Sequence, residues 1–288
     1  MTAAVLKGPP VTGYSLGFAT PLAAFFVLFF LAPLLLLVVI SFYATPELRS
    51  FGFDQYVKIA TDGFTLPVLF DTLWLGLQTT LLCLLLGYAL AWCYVRSPGS
   101  LQKLLMLAIL MPLLTSVVVR TFAWVVILGR QGIVNSVLAD FGWIDAPLKL
   151  LYTRGGLIVT QANVQLPLMV LPLITALQKL DPNLEDASSA LGASALRTFV
   201  KITLPLTLPG IVAGCLLTFA ASITAFISQS LIGGGQMLFM PMYIYQQASS
   251  LQNWPFAAAI SLVFLVAVML CVTLFNYLGR LSRGHVAA

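Results

Sequence analysis

Few residues in this 288-residue chain could do chemistry, and their types exclude most kinds of it. The one histidine is His285, near the C-terminus, and the four cysteines, Cys83, Cys93, Cys215 and Cys271, form no CxxC pair. Nucleophilic catalysis needs a nucleophile beside a base, and a metal site needs several His, Cys or carboxylate ligands within reach of one another. Neither can be assembled here, so the cysteines read as small packing residues and the chain is not expected to be an enzyme or to hold a metal. GxxxxGK[ST] is absent, so the backbone cradle for a nucleoside triphosphate is missing too. The glycines of GGGQ (Gly233–Gln236) have no lysine and follow an apolar run, as in a turn.

What remains is a set of polar residues inside apolar segments. Arg120 is the only charge between positions 104 and 128. A charged side chain at mid-bilayer costs about 2.5–3.5 kcal/mol on insertion scales, so Arg120 either serves a pore-side role or snorkels to the outer headgroups. Gln161 and Gln165 lie four apart with Asn163 between them, and Thr218, Ser222 and Gln229 fall near one helical face. Such stripes line a wet pathway or bond neighbouring helices. Asp71, at the outer edge of the second apolar segment, is nearly the only carboxylate that could join a pathway. GIVAG (Gly210–Gly214) is a GxxxG step that lets two helices approach.

The elements that must position these residues are membrane helices. Hydrophobic residues make up 60% of the chain and charged ones 8%, with mean hydropathy +1.01, whereas a soluble domain carries about 25% charged residues. A hydrocarbon core needs about 20 apolar residues of helix. The charge-free runs predict six spans, at roughly 19–43, 67–95, 104–128, 156–178, 208–232 and 256–279. The first is too long for a signal-peptide h-region and has only Lys7 ahead of it, so it is expected to be a span. The Lys/Arg distribution places both termini in the cytoplasm, with Arg96, Lys103, Lys179, Arg197 and Lys201 inside and Arg49, Lys58, Arg130, Lys149 and Arg154 outside. The net charge of +5 reflects that topology and does not indicate nucleic-acid binding.

One polar stretch, Glu185 to Gly210, interrupts this pattern. Asp181 and Pro182 start a short helix whose Leu184, Ala187 and Leu191 share a face, and Gly192 is placed to end it at positive φ. A second short helix follows, with Leu196, Phe199 and Val200 as its apolar stripe and Arg197 and Lys201 on another face, until LPLTLPG is expected to break it. Such an elbow either lies on lipid headgroups or docks into a groove of a partner protein. A conduit with no energy source of its own favours docking.

Asp186-Ala187-Ser188, then Gly192, then Ile202-Thr203-Leu204-Pro205 resemble the cytoplasmic signature of ABC-importer permeases, EAA–three residues–G–nine residues–I–x–L–P. Asp186 replaces the usual glutamate, with Glu185 beside it, and Ser188 replaces an alanine. The resemblance implies an all-α integral membrane protein with the type I importer permease fold: six transmembrane helices and a cytoplasmic coupling-helix elbow. Glu185, Asp186, Ala187, Gly192, Leu196, Phe199 and Pro205 would make up the coupling elbow that seats in a cleft of an ATPase. It further implies a bacterial inner-membrane location and a core at 67–279 with the elbow at 180–207. Residues 1–66 would hold the N-terminus, first span and periplasmic loop, and 280–288 the tail. The implied partners are a second homologous permease, a homodimeric cytoplasmic ABC ATPase that binds ATP and Mg, a periplasmic solute-binding protein and membrane lipid. MPLLTSVVVRTFAW (Met111–Trp124), GIVNSVL (Gly132–Leu138) and NWPFAAAIS (Asn253–Ser261) are similar to the polyamine-type permeases of spermidine/putrescine importers. The implied solute is a polyamine or related cationic amine, with an amino acid or opine-like solute as the alternative. An ATP-independent channel or carrier is the rival from another class.

Overall fold

Backbone groups in hydrocarbon find no water to bond, so an apolar chain folds into helices that satisfy them internally. The computed structural model describes residues 16–284, and all its regular elements are helical; an isolated bridge joins Tyr43 and Phe51. Lys7 with the expected cytoplasmic N-terminus, and His285 in the tail, lie outside the described residues. Among the described residues, six helical runs are long and apolar enough to cross a membrane: Thr20–Ser41, Thr65–Arg96, Val117–Asp140, Arg154–Gln178, Ala195–Ile223 and Trp254–Tyr277.

The first crossing comprises α1 (Leu16–Phe26), a π-helical turn (Val27–Leu31) and α2 (Ala32–Ser41). It leans on α14 (Trp254–Gly284) and leaves its other faces exposed. After α3 (Asp54–Thr61), Asp62 starts α4 (Thr65–Arg96) by accepting bonds from the backbone N–H of Phe64 (3.0 Å) and Thr65 (3.1 Å) and from the Thr65 hydroxyl (2.8 Å). The centre is formed by α4, α8 (Arg154–Gln178) and α11 (Leu204–Ile223), which pack on one another more extensively than any other elements. Lipid tails are as apolar as leucine, so close approach at small residues holds such helices together. A Cβ added at Gly210 would meet Ala176 Cβ at 2.5 Å, and one at Gly214 would meet Met169 Sδ at 2.7 Å. The GxxxG step is thus where α11 rests on α8.

Two crossings differ from their expected form. The third, expected as one helix over 104–128, instead begins at Val117 with α6 (Val117–Leu128), and the residues before it form a separate α5 (Gly99–Leu114), with Thr115 and Ser116 extended between them. Pro112 removes one bond from the last turn of α5, and the Thr115 hydroxyl donates to the carbonyls of Met111 (3.3 Å) and Pro112 (3.2 Å), closing the helix there. After a tight turn comes α7 (Ile133–Asp140), where Asn135 bonds the Gly129 carbonyl and both backbone groups of Leu148.

The fifth crossing, expected at 208–232, begins earlier and ends earlier. Past α9 (Asn183–Ala190), α10 (Ala195–Thr198) runs through a π-helical turn (Phe199–Thr203) straight into α11, so LPLTLPG does not break the helix. A proline ring clashes with the carbonyl four residues back; the π turn, in which Leu204 N–H reaches Phe199 O, moves that carbonyl aside just before Pro205. The same device precedes Pro33, where Ala32 N–H reaches Val27 O. The fifth crossing then stops at Ile223, and α12 (Phe226–Gly233) leads to the GGGQ turn and α13 (Met240–Tyr245).

Candidate functional site

The elbow is closed by a Schellman motif: Gly192 N–H bonds Ser189 O (3.0 Å), and Ala193 N–H bonds Ser188 O (3.1 Å). Gly192 has φ +78°, in the left-handed region the sequence reading expects there. Asp181 Oδ1 accepts from Asn183 N–H (2.9 Å) at the start of α9, and Ser194 caps α10 through Arg197 N–H (3.4 Å). The Ser188 and Thr198 hydroxyls meet at 2.8 Å and pin the two short helices together. This leaves Asp186, Ala187, Leu191 and Leu196 exposed, Leu191 at 88% and Leu196 at 73%.

Not every elbow residue faces outward. Phe199, expected in the exposed apolar stripe, turns inward and meets Tyr88 and Trp92 edge-on, with ring centroids 5.6 and 5.4 Å away. Glu185 pairs with Arg96 at 2.5 Å, and the Arg96 guanidinium stacks on Trp92 at 4.1 Å. The Tyr88 hydroxyl lies 3.1 Å from that of Thr207. Tyr88, Trp92 and Arg96 recur every four residues at the end of α4, so one face of the second crossing grips both halves of the elbow. That i, i+4, i+8 spacing was available in the sequence as the signal for this face. Pro205 lies half-buried inside the continuous helix.

The second candidate is a cavity of about 460 Å³ lined by Leu113, Thr115, Val117, Arg120, Val164, Gln165 and the segment from Thr224 to Ser228. Gln165 lies eleven residues into α8, about 16 Å along it at 1.5 Å per residue, so the cavity is at mid-membrane depth. Both helix breaks, at Thr115–Ser116 and Thr224–Ala225, open onto it. The sequence reading placed neither break, and with them it missed Thr115, Thr224 and Ser228. Thr121 and Ser228 join α6 to α12 through hydroxyls 3.3 Å apart.

The structure brings Arg120 and Gln165 together at this cavity and sends the other pathway candidates elsewhere. Gln161 is fully buried and accepts from the Thr79 hydroxyl of α4 at 3.3 Å. Gln229 donates to the carbonyls of Ser222 (3.0 Å) and Ile223 (3.4 Å), closing the end of α11, and the Ser222 and Thr218 side chains are buried away from the cavity. Asn163 accepts from the Trp124 indole at 3.2 Å. Asp71 lies near the start of α4 and is paired with Arg154, the first residue of α8, at 3.0 Å. Arg120 Nε and Nη1 are buried with no hydrogen-bond partner among the described residues.

Comparison with known proteins gives this arrangement its context. Residues 83–284 match the family described as binding-protein-dependent transport system inner membrane component. The chain is 33% identical over 265 residues to the spermidine/putrescine transport system permease protein PotB of Salmonella typhimurium (strain SL1344), covering 91% of this chain and 92% of that one. It is 29% identical over 253 residues to the inner membrane ABC transporter permease protein YdcU of Escherichia coli (strain K12), covering 80% of each. Among solved structures it superposes on a bacterial ABC transporter involved in the import of the acidic polysaccharide alginate, with TM-score 0.77 and 19% identity over 92% of this chain and 94% of the other, which establishes a shared fold.

Proposed function

This chain belongs to the family of binding-protein-dependent transport system inner membrane components, and on that premise we propose that it is one of two permeases in an ATP-driven importer of a polyamine or closely related organic amine. As a permease of that family it is a multi-pass inner-membrane protein that works with a binding protein. The proposal adds a second homologous permease, a pair of cytoplasmic ATPase subunits that hold ATP and Mg, and cytoplasmic placement of both termini and of the elbow.

The observation that carries the reading is the elbow itself. A short, Schellman-closed helix exposes Leu191 and Leu196 at one end of the molecule while its base is tied to two crossings. Exposed leucines on a rigid helical projection are what a groove on a partner protein would bury. Movement of α9 is passed to α4 through Glu185, Arg96 and Trp92; movement of α10 is passed along the unbroken helix to the mid-membrane cavity. Closure of the ATPase pair on ATP would thus shift α4 and α11 together and switch the side from which the pathway opens. The solute class rests on the full-length similarity to PotB.

The test is purification of the tagged chain from its native membrane, followed by reconstitution with its binding protein. A P-loop ATPase should co-purify, and the proteoliposomes should accumulate labelled spermidine or putrescine only with ATP inside. A chain that purifies without an ATPase, or moves solute equally well without ATP, overturns the reading.

A further inference from the structure

Tyr152, two residues before α8, has φ +60°, in the left-handed region where a bulky side chain is a genuine outlier. Backbone of that kind persists only where its surroundings over-determine it. Here they do. On one side Asn135 holds both backbone groups of Leu148. On the other, the Thr153 hydroxyl donates to Leu150 O (2.6 Å) and accepts from Gly156 N–H (3.1 Å). Residues 148–153 thus form a rigid bracket at the end of α8 opposite the elbow.

The bracket closes on the GGGQ turn. Gly234, at φ +56°, lies against the Tyr152 ring: a Cβ there would stand 3.0 Å from Tyr152 Cγ and nearer still to Cδ1 and Cε1, so only glycine leaves room. Beside it Lys149 Nζ donates to Gln236 Oε1 at 3.4 Å. Lys149, Tyr152, Gly234 and Gln236 are all exposed, so parting these contacts gives up little burial. The turn is the far end of α12, whose first residues, Phe226 to Ser228, line the mid-membrane cavity. Eight residues make α12 about 12 Å long, a strut from the cavity to the bracket. The break at Thr224–Ala225 lies at one end of the strut, and Gly234 and Gly235, both at positive φ, lie at the other. Such end positions absorb the dihedral change when a helix swings as a body.

We propose that Tyr152 is a latch: seated on Gly234 it holds α12 against the cavity, and its release lets α12 swing and opens the cavity toward the end of the molecule opposite the elbow. Two features make the latch reversible. The contact is a ring on a bare backbone at the surface, and the strain at Tyr152 works against the closed form, which brings the two forms nearer in energy. The inference rests on the reading of the chain as an ATP-driven permease, and adds to it the residue pair that must part in each transport cycle.

The experiment uses the assembled importer with its binding protein in proteoliposomes, and labelled putrescine. Lys149→Cys with Gln236→Cys places a thiol on each side of the latch and leaves Tyr152 and Gly234 as they are; Cys93→Ser removes the exposed native thiol. Joined by a short bifunctional thiol reagent that a reductant cleaves, this variant should lose ATP-driven uptake and regain it on reduction. A linked chain that imports at its unlinked rate overturns the latch. Tyr152→Gly removes the ring and the strain together, so the open form is reached unprompted. It should hydrolyse ATP without the binding protein and spend more ATP per putrescine moved, whereas Tyr152→Phe, which keeps the ring, should match wild type. Wild-type coupling in Tyr152→Gly, or equal damage in Tyr152→Phe, also overturns the latch and leaves the importer reading standing. A wild-type chain that imports nothing on ATP overturns that reading and this inference with it.

Discussion

Gly192 offers the sharpest test of the elbow because its surroundings separate two effects that substitutions usually mix. Its φ is +78°, and a Cβ built there would meet no atom of the chain within 4 Å. Steric conflict inside the chain is therefore absent, and the penalty for another residue is the backbone's own. An L-residue in the left-handed region loses about 1–2 kcal/mol, with asparagine tolerating it best and a β-branched residue worst. At about 1.4 kcal/mol per factor of ten, the bent elbow should lose roughly 5- to 30-fold in population relative to unbent forms. The series Gly192→Asn, Gly192→Ala and Gly192→Val should lower ATPase co-purification and ATP-driven uptake in that order. Membrane insertion should be unchanged, since no crossing is touched. Wild-type uptake in Gly192→Val would refute the reasoning, and so would an asparagine variant as damaged as the valine one, because a purely conformational penalty must be graded.

Phe199→Ala should loosen the elbow from α4, because it removes the edge contacts with Tyr88 and Trp92; the expected sign is ATP hydrolysis that continues while uptake falls, read as ATP spent per solute moved. Topology is best tested at exposed positions, since Ser188 and Asn135 are buried: an impermeant maleimide should label Trp143→Cys from outside and Leu196→Cys only after lysis, and outside labelling of Leu196→Cys would reverse the orientation. For Asp62, burial is the largest single influence and pushes its carboxyl up, but the bonds from Thr65 and Phe64 and the charge of Lys58 together outweigh it and hold the group below the ordinary carboxylate range. A depressed folded value means the carboxylate's contribution is present above about pH 4 and fades as pH falls through the folded value. Asp62→Ala should therefore lower stability in thermal unfolding by about 1 kcal/mol at pH 7, with the gap to wild type narrowing below pH 4. A gap that persists at pH 2–3 would count against the cap.

Where local chemistry decides the conformation, the sequence was readable. Charge-free runs mark the number of crossings, and a glycine after a short amphipathic helix marks a left-handed stop; both are found in the structure. Where tertiary geometry decides, it was not. No glycine or proline stands at Thr115–Ser116 or Thr224–Ala225, and the breaks are stabilised by threonine and glutamine side chains that satisfy the freed carbonyls. The opposite misreading occurred at Pro205, where proline signals a break but the preceding π turn absorbs the clash. Phe199 belongs to an apolar stripe in the sequence; which neighbour the stripe meets depends on Tyr88 and Trp92, more than a hundred positions away. The face of Gln161 and Gln165 was legible as one stripe, yet successive turns of it meet different neighbours, α4 at Gln161 and the cavity at Gln165.

The π turn before Pro205 has a mechanical corollary. Because it keeps α10 and α11 in one piece, the segment from Ala195 to Ile223 is a push-rod of 29 residues, about 44 Å at 1.5 Å per residue, with no break in its helical backbone between its two ends. Pivoted at its elbow end, such a rod needs a tilt of only about 5° to sweep its far tip through about 4 Å, given that length. The tip is Ile223, beside the break that borders Arg120's cavity. On the proposed coupling, leverage of that kind would convert an angstrom-scale tug at the elbow into a change of aperture at mid-membrane, which a flexible hinge at LPLTLPG would dissipate.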